Sequence, residues 1–423
     1  MYSNINKLFK TGLHDIKPGL ERIFALLDSL DSPHDKINYV IVGGTNGKYS
    51  VARIISEILE NNSFKTGLYT SPHLVEVTER IKVNGEKISR EQLDSILGMV
   101  FKKCSVLGIE LSYFELITAA AFIYFYENDI DLGVLEVGMG GRWDATNVVT
   151  PLISVITNIS FDHMKYLGDT IHEIASEKAE IIKQNGIVVT GASKEGLEVI
   201  SQVSFSRNCD IYILGEEFEC KRVGNSVMDY KGLSWRLNRL ETNLSGIYQV
   251  QNIAIAVCSI EILNNNFNYV IDQESIKHTL KRINVEGRFE LFRSYPPLIM
   301  DGAHNEAAAD ALIKSINYIY GDMKFVFLIT MLNDKDHDSF LKKIIPFASR
   351  IILTQIPDDR CASADELGNK LSEYYNNYEI IEDPLEAFEI LKNGEAPSCI
   401  TGSFYLVGYL KGKMKNEKNR AGI

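Results

Sequence analysis

The chain has 423 residues, 45% hydrophobic and 24% charged, with 44 basic against 56 acidic residues and a net charge of −12. That length exceeds what one ordinary core holds and predicts two domains. The acidic balance excludes a nucleic-acid binder held by bulk electrostatics, so any cations that meet anionic substrates must be concentrated locally.

Met1 to Lys7 lacks the apolar core of a signal peptide, and no apolar run reaches membrane-spanning length. The six cysteines (104, 209, 220, 258, 361 and 399) show no CxxC pairing and read as reduced thiols of a cytoplasmic protein with no membrane partner. Residues 1–36 read as helical, with Leu20, Ile23, Phe24 and Leu27 as an apolar stripe.

Tyr39-Val40-Ile41-Val42 is a buried-strand pattern, followed by Gly43-Gly44-Thr45-Asn46-Gly47-Lys48-Tyr49-Ser50. Val51, Ile54, Ile55, Ile58 and Leu59 then recur at helical spacing, so a helix is expected to open at Ser50. Strand, glycine-rich turn and helix point several backbone N–H groups at an anion, the helix dipole adds positive charge, and Lys48 adds a full one. The pattern departs from a P-loop, because Tyr49 separates Lys48 from the hydroxyl of Ser50 and Val42 stands where the first glycine belongs. The bland alternative is a simple strand-turn-helix.

A second strand falls at 65–69, a loop at Thr70-Ser71-Pro72-His73-Leu74, a short hairpin over 80–85 and helices over roughly 89–128. Apolar strands at 132–137 and 152–157 flank the polar loop Gly138 to Asn147. Strands alternating with helices predict an α/β fold with a largely parallel sheet, whose ligands sit beyond the carboxyl ends of the strands. The singled-out loops all fall at that edge. A boundary is expected near 285–297, dividing 1–293 from a smaller α/β domain at 294–423 whose first strand, 298–300, ends in Asp301-Gly302-Ala303-His304-Asn305.

Glu136 lies in a buried strand, where a carboxylate either ligates Mg²⁺ or pairs with an arginine such as Arg142. Asp162-His163 follows the next strand, and His163 reads as a ligand or as a hydrogen-bonded loop residue. Lys178 lies on the apolar face of the helix over 171–182, while Glu173, Glu177 and Glu180 largely face away. A buried lysine favours its neutral form, which can add CO₂ to give a carbamate; the alternative is a lysine snorkelling along its helix. Arg288 and Asp301 flank the domain joint and suit a polyphosphate and a ribose or metal.

These stretches, in this order, resemble the folylpolyglutamate synthase/dihydrofolate synthase family, relatives of the Mur peptide ligases. The resemblance rests on Gly44 to Lys48, Thr70 to Leu74, Glu136-Val137-Gly138 and Gly140 to Asn147, then Asp162-His163, Glu177-Lys178-Ala179, Gln249 with Asn252 and Gly287-Arg288. It ends with Asp301 to Asn305, Asp334-Lys335-Asp336 and Thr401 to Gly408.

The resemblance implies an N-terminal P-loop ATPase domain and a smaller Rossmann-like domain. It implies Lys48, Lys178 and His163 as catalytic groups, and Ser50, Glu136, His163 and carbamylated Lys178 as ligands of one or two Mg²⁺. It places ATP on Gly44, Thr45, Asn46, Gly47, Lys48, Tyr49, Ser50, Asn252, Arg288 and Asp301. Pteroate or folate and L-glutamate fall to Ser71, Pro72, His73, Phe114, Glu115, Arg142, Trp143, Asp144 and His304. The implied enzyme is a cytoplasmic, monomeric ligase that forms an amide through an acyl phosphate.

Tyr49 stands where the family carries glycine, so either its side chain points away or the cradle is blocked. Two other readings follow: a paralogue joining a different carboxylate and amine, or a weakly active nucleotide-binding relative.

Overall fold

The structure, a computed structural model, describes residues 2–12, 17–224 and 226–421. Strands β1 (Tyr39–Gly43), β2 (Thr66–Tyr69), β3 (Ile81–Val83), β4 (Glu86–Lys87), β5 (Leu132–Glu136), β6 (Ile153–Ile156), β7 (Ile187–Thr190) and β8 (Asp210–Ile213) form one sheet. Its order is β4-β3-β2-β5-β1-β6-β7-β8, parallel from β2 to β8, with β3 and β4 antiparallel at one edge.

β1 is the pivot. The chain leaves it to build β2, returns to insert β5 beside it, and crosses to place β6 on its other flank. The loops that leave the carboxyl ends of β5, β1 and β6 are therefore brought to one edge of the sheet, the edge at which such folds bind ligands. All five β1 residues are buried. Tyr39 and Ile41 join the core on one face, with the helix Tyr113–Glu127, while Val40 and Val42 join the core on the other. There the helices Lys48–Asn61 and Gln249–Asn266 pack. Burial on both faces is why the strands read as continuous apolar runs rather than alternating ones.

A ribbon of β9 (Glu219–Gly224), β10 (Val227–Lys231) and β11 (Arg236–Glu241) has no counterpart in the sequence reading. The buried carboxylate of Glu261 on the helix Gln249–Asn266 pins it by accepting from Tyr230 Oη at 2.9 Å and from the Trp235 N–H at 2.7 Å. The second sheet, β12 (Glu290–Arg293), β13 (Leu298–Met300), β14 (Phe325–Ile329), β15 (Ala348–Leu353), β16 (Tyr378–Ile380) and β17 (Ser398–Thr401), runs in the order β12-β13-β17-β14-β15-β16. Only β12 is antiparallel. β12 hydrogen-bonds to β13, so a division after residue 293 cuts inside this sheet, and the chain changes sheets before Glu290.

Several local expectations shift. The stretch 1–36 holds Ser3–Lys10, Glu21–Asp28 and a 3-10 turn at Pro33–Lys36, with residues 13–16 outside the described residues. Phe24 is 38% exposed, and Leu26 takes its place in the core. The helix after the glycine loop opens at Lys48, two residues earlier than expected, because Gly47 at φ 87° supplies the left-handed turn into it. No helix among the described residues is long and apolar enough to cross a membrane.

Candidate active site

The loop after β1 lies against the segment after β6. The Thr45 N–H donates to the Asn158 carbonyl at 2.9 Å, and the Asn46 N–H donates to Asn158 Oδ1 at 3.0 Å. Thr157 Oγ1 returns a bond to the Asn46 carbonyl at 2.7 Å. Gly44, at φ 125°, has no room for a side chain: a Cβ there would sit 2.0 Å from Thr157 Oγ1. At Gly47 a Cβ would sit 2.4 Å from Asn252 Oδ1, so the first turn of the helix Gln249–Asn266 closes the other side. Two glycines, enforced sterically, thus carry the chain from β1 straight into a helix N-terminus, the setting of an anion cradle.

The ionisable groups around it are short of partners. Lys48 folds back on the carbonyls of Gly44 and Thr45, both at 3.1 Å, and its burial pulls the ammonium pKa down. Glu136, at the end of β5 beside β1, is buried and accepts only the Ser71 N–H, at 3.0 Å. Burial pushes its carboxyl up to about 7, against the pull of Lys48. Arg142 is not its partner; it pairs with Glu177 at 2.9 Å and Glu180 at 3.1 Å.

Lys178 is buried, as its helical face predicts, and donates to the Gly44 carbonyl at 3.0 Å. Burial, then the nearby Lys48 charge, brings its amine down to about 7. A sizeable fraction is therefore neutral at neutral pH, the form that adds CO₂. Burial holds His163 neutral, down to about 4.

Ser50 Oγ is buried with no hydrogen-bond partner among the described residues. An orphaned hydroxyl and a carboxylate on neighbouring elements suit a hard, oxygen-loving cation such as Mg²⁺. No cluster of three or more His, Cys, Asp or Glu side chains with metal-binding spacing occurs among the described residues.

Tyr49 sits in the first turn of the helix Lys48–Asn61. Its ring is half-buried and packs against the core beneath the sheet, and that burial raises the phenol to about 12.

Asp162 belongs to a different construction. It is buried and accepts from Lys335 Nζ at 2.7 Å and Asn305 Nδ2 at 3.0 Å, with His304 Nε2 at 3.6 Å, all three from the second domain. Burial alone would raise its carboxyl, but His304, His163 and Lys335 outweigh that and hold it well below the usual carboxylate range. Asn305 also reaches Asn46 of the cradle, Nδ2 to Oδ1 at 3.3 Å. This ion-paired knot across the domain cleft was not legible in sequence, although Lys335 lies in one of the stretches that carry the resemblance.

Asp301 is likewise committed: its oxygens accept from Tyr248 Oη at 2.9 Å, the Phe289 N–H at 2.7 Å and the Ala303 N–H at 2.8 Å. That set ties the second domain's first strand to Tyr248 of the first. Arg288 lies over the Phe404 ring at 4.9 Å.

On the other side of Glu136, Phe114 packs next to Gly138 and Asp144. Asp144 holds its own loop, accepting the N–H groups of Met139 and Thr146, each at 3.0 Å. Glu115 turns away: it caps its helix through the Ser112 N–H and Oγ, each at 2.8 Å, and pairs with Arg22 at 3.1 Å. Trp143 is 52% exposed. Ser71, Pro72 and His73 lie on the loop that reaches Glu136, with a cis bond at Ser71-Pro72.

The Mur ligase middle domain matches residues 42–260, and the Mur ligase glutamate ligase domain matches residues 287–401. The dihydrofolate synthase/folylpolyglutamate synthase of Bacillus subtilis is 32% identical over 424 residues, spanning 95% of this chain and 96% of that protein. The chain belongs to the folylpolyglutamate synthase/dihydrofolate synthase family.

Solved members of that family share the whole architecture. Thermotoga maritima folylpolyglutamate synthase superposes with a TM-score of 0.86 at 35% identity, covering 98% of this chain and 97% of that one. The Mycobacterium tuberculosis folylpolyglutamate synthase complexed with ADP and AMPPCP gives 0.87 at 31% identity, covering 96% and 97%. E. coli FolC in complex with DHPP and ADP gives 0.89 at 26% identity, covering 98% of each chain.

Proposed function

We propose that this protein is an ATP-dependent ligase that joins L-glutamate by an amide bond to dihydropteroate, to (tetrahydro)folate polyglutamates, or to both. The observation that carries the reading is the sterically enforced cradle at Gly44 to Ser50, ringed by under-partnered Lys48, Glu136 and Ser50 and set in a family of glutamate ligases. The packing of Tyr49 into the core supports ordinary family chemistry over a silent nucleotide binder or a ligase for other substrates.

The nucleotide phosphates take the backbone N–H groups of the loop and the helix N-terminus, and Lys48 exchanges two neutral carbonyls for the γ-phosphoryl charge. The acceptor carboxylate, laid along the Ser71 to His73 loop, attacks the γ-phosphorus and releases ADP. The amine of L-glutamate then attacks the resulting acyl phosphate and expels phosphate. Charge stabilisation and positioning supply the rate, so no covalent nucleophile is needed.

When bound, Mg²⁺ neutralises charge on the transferring phosphoryl group. Ser50 and Glu136 would hold one ion, and His163 with a carbamylated Lys178 would serve a second. Each chain carries a whole site, consistent with a monomer. Six free cysteines are consistent with the cytoplasm.

The test supplies Mg-ATP, L-glutamate and either dihydropteroate or tetrahydrofolate, and measures phosphate release together with product mass. A glutamyl adduct from at least one acceptor is expected. Binding of ATP with no adduct from either would sink the reading.

A further inference from the structure

Arg80 is buried, only 6% exposed, at the end of the 3-10 turn Val77–Arg80, and the function above has not used it. Its Nε donates to His73 Nδ1 at 2.9 Å, and its guanidinium lies over the Tyr113 ring at 5.4 Å. Among the described residues no carboxylate stands within ion-pairing distance of it. Its one side-chain hydrogen-bond partner is a neutral ring, since burial and then the Arg80 charge drive His73 down to about 3.

The Arg80 charge reaches the buried Glu136 carboxyl and pulls its pKa down, but without direct contact, and a buried guanidinium with no carboxylate in direct contact is expensive. A second polar group beside it is stranded in the same way: Tyr113 Oη is buried without a partner. The place matters too. Tyr113 immediately precedes Phe114 on the helix that backs the site. The main-chain carbonyl of Arg80 accepts the Thr70 N–H at 2.9 Å, next to Ser71, which donates to Glu136.

We propose that Arg80 binds a non-reacting carboxylate of the substrates, with Tyr113 available as a second donor. This deepens the ligase reading and rests on it. A planar guanidinium held by His73 and an aromatic face is pre-formed for bidentate carboxylate recognition. Two sources share that chemistry: the α-carboxylate of a folate's terminal glutamate, or a carboxylate of the incoming L-glutamate. Dihydropteroate has only its reacting carboxylate, so the two can be told apart.

The experiment measures KM for tetrahydrofolate, dihydropteroate and L-glutamate in the wild type, Arg80→Met and Arg80→Lys, with melting temperatures of the ligand-free proteins. Losing a charge-assisted pair raises the relevant KM roughly tenfold to a hundredfold, with Arg80→Lys in between. A rise for tetrahydrofolate alone supports the proposal and assigns the acceptor's α-carboxylate. A rise for L-glutamate with both acceptors supports it and assigns the incoming amino acid. In either case Arg80→Met should melt no lower than wild type, because an uncompensated buried charge has been removed.

Unchanged KM values, or a lowered melting temperature with only kcat reduced, would overturn it and leave Arg80 a brace for His73. If the wild type makes no glutamyl amide at all, the ligase reading fails separately. Equilibrium dialysis of tetrahydrofolate and of L-glutamate against wild type and Arg80→Met then decides Arg80, equal Kd values overturning it.

Discussion

Two buried polar clusters face the same cleft and are built on opposite principles. Around the cradle, Lys48 leans on neutral carbonyls, Glu136 has one N–H, and Ser50 Oγ has nothing. Burial there drives a carboxyl up and an amine down, each to about 7. At the cleft between domains, Asp162 is bonded to Lys335 and Asn305 with His304 beside it, and Asp301 is fully satisfied. Burying a polar group is tolerable when it is paired and costly when it is not. On the proposed reading the paired cluster holds the domains together, and the under-partnered one is left for a ligand.

That contrast is open to attack from both sides, beginning with the largest effect. Asp162→Ala leaves Lys335 buried, its side chain 7% exposed, with only Asp334 at 3.7 Å beyond the lost partner. Removing one partner of a buried pair should cost about 3–5 kcal/mol, read as the shift of the urea unfolding midpoint. A shift below about 1 kcal/mol would put Asp162 in the same class as an exposed pair.

Lys48→Met should do the reverse. Phosphate release in the ligase assay should fall about 100- to 1,000-fold, as for loss of one transition-state charge donor, while the unfolding midpoint stays level or rises. A large loss of stability with activity intact would erase the distinction.

The pH dependence should have opposite signs at Glu136 and at Asp162. Glu136 has a folded pKa raised from 4.5 to about 7, so the stability it contributes is present below 4.5 and lost as pH rises through about 7. In metal-free buffer, Glu136→Gln should gain on wild type across that window and then level off. Asp162 has a folded pKa depressed below 3.8, so its contribution is present above that value and lost as pH falls. The stability gap between wild type and Asp162→Asn should therefore close in acid. Curves of the same sign for both would refute the contrast.

The smallest effect is expected at Tyr49, whose half-buried ring packs against the core. Tyr49→Phe should leave the KM for ATP and kcat within about twofold, the reach of a single weak hydrogen bond. A gain in turnover from Tyr49→Phe would show that the phenol reaches the cradle after all.

The sequence alone determined a good deal. Continuous apolar runs marked β1, β5 and β6, because a strand covered on both faces must be apolar throughout. The glycine loop announced an anion cradle, since Gly44 and Gly47 are backbone requirements written directly as residue type. Lys178 was legible because its helix placed it among isoleucines. Tertiary structure alone decided the partners. Whether Glu136 meets Arg142 or a backbone N–H, and whether Tyr49 turns inward, depends on contacts between residues far apart in the chain. The same holds for Asp162, which gathers Lys335 from 173 positions away. Arg80 made no mark in the sequence because an arginine is ordinary until burial without a counter-ion makes it costly, and burial is a property of the fold.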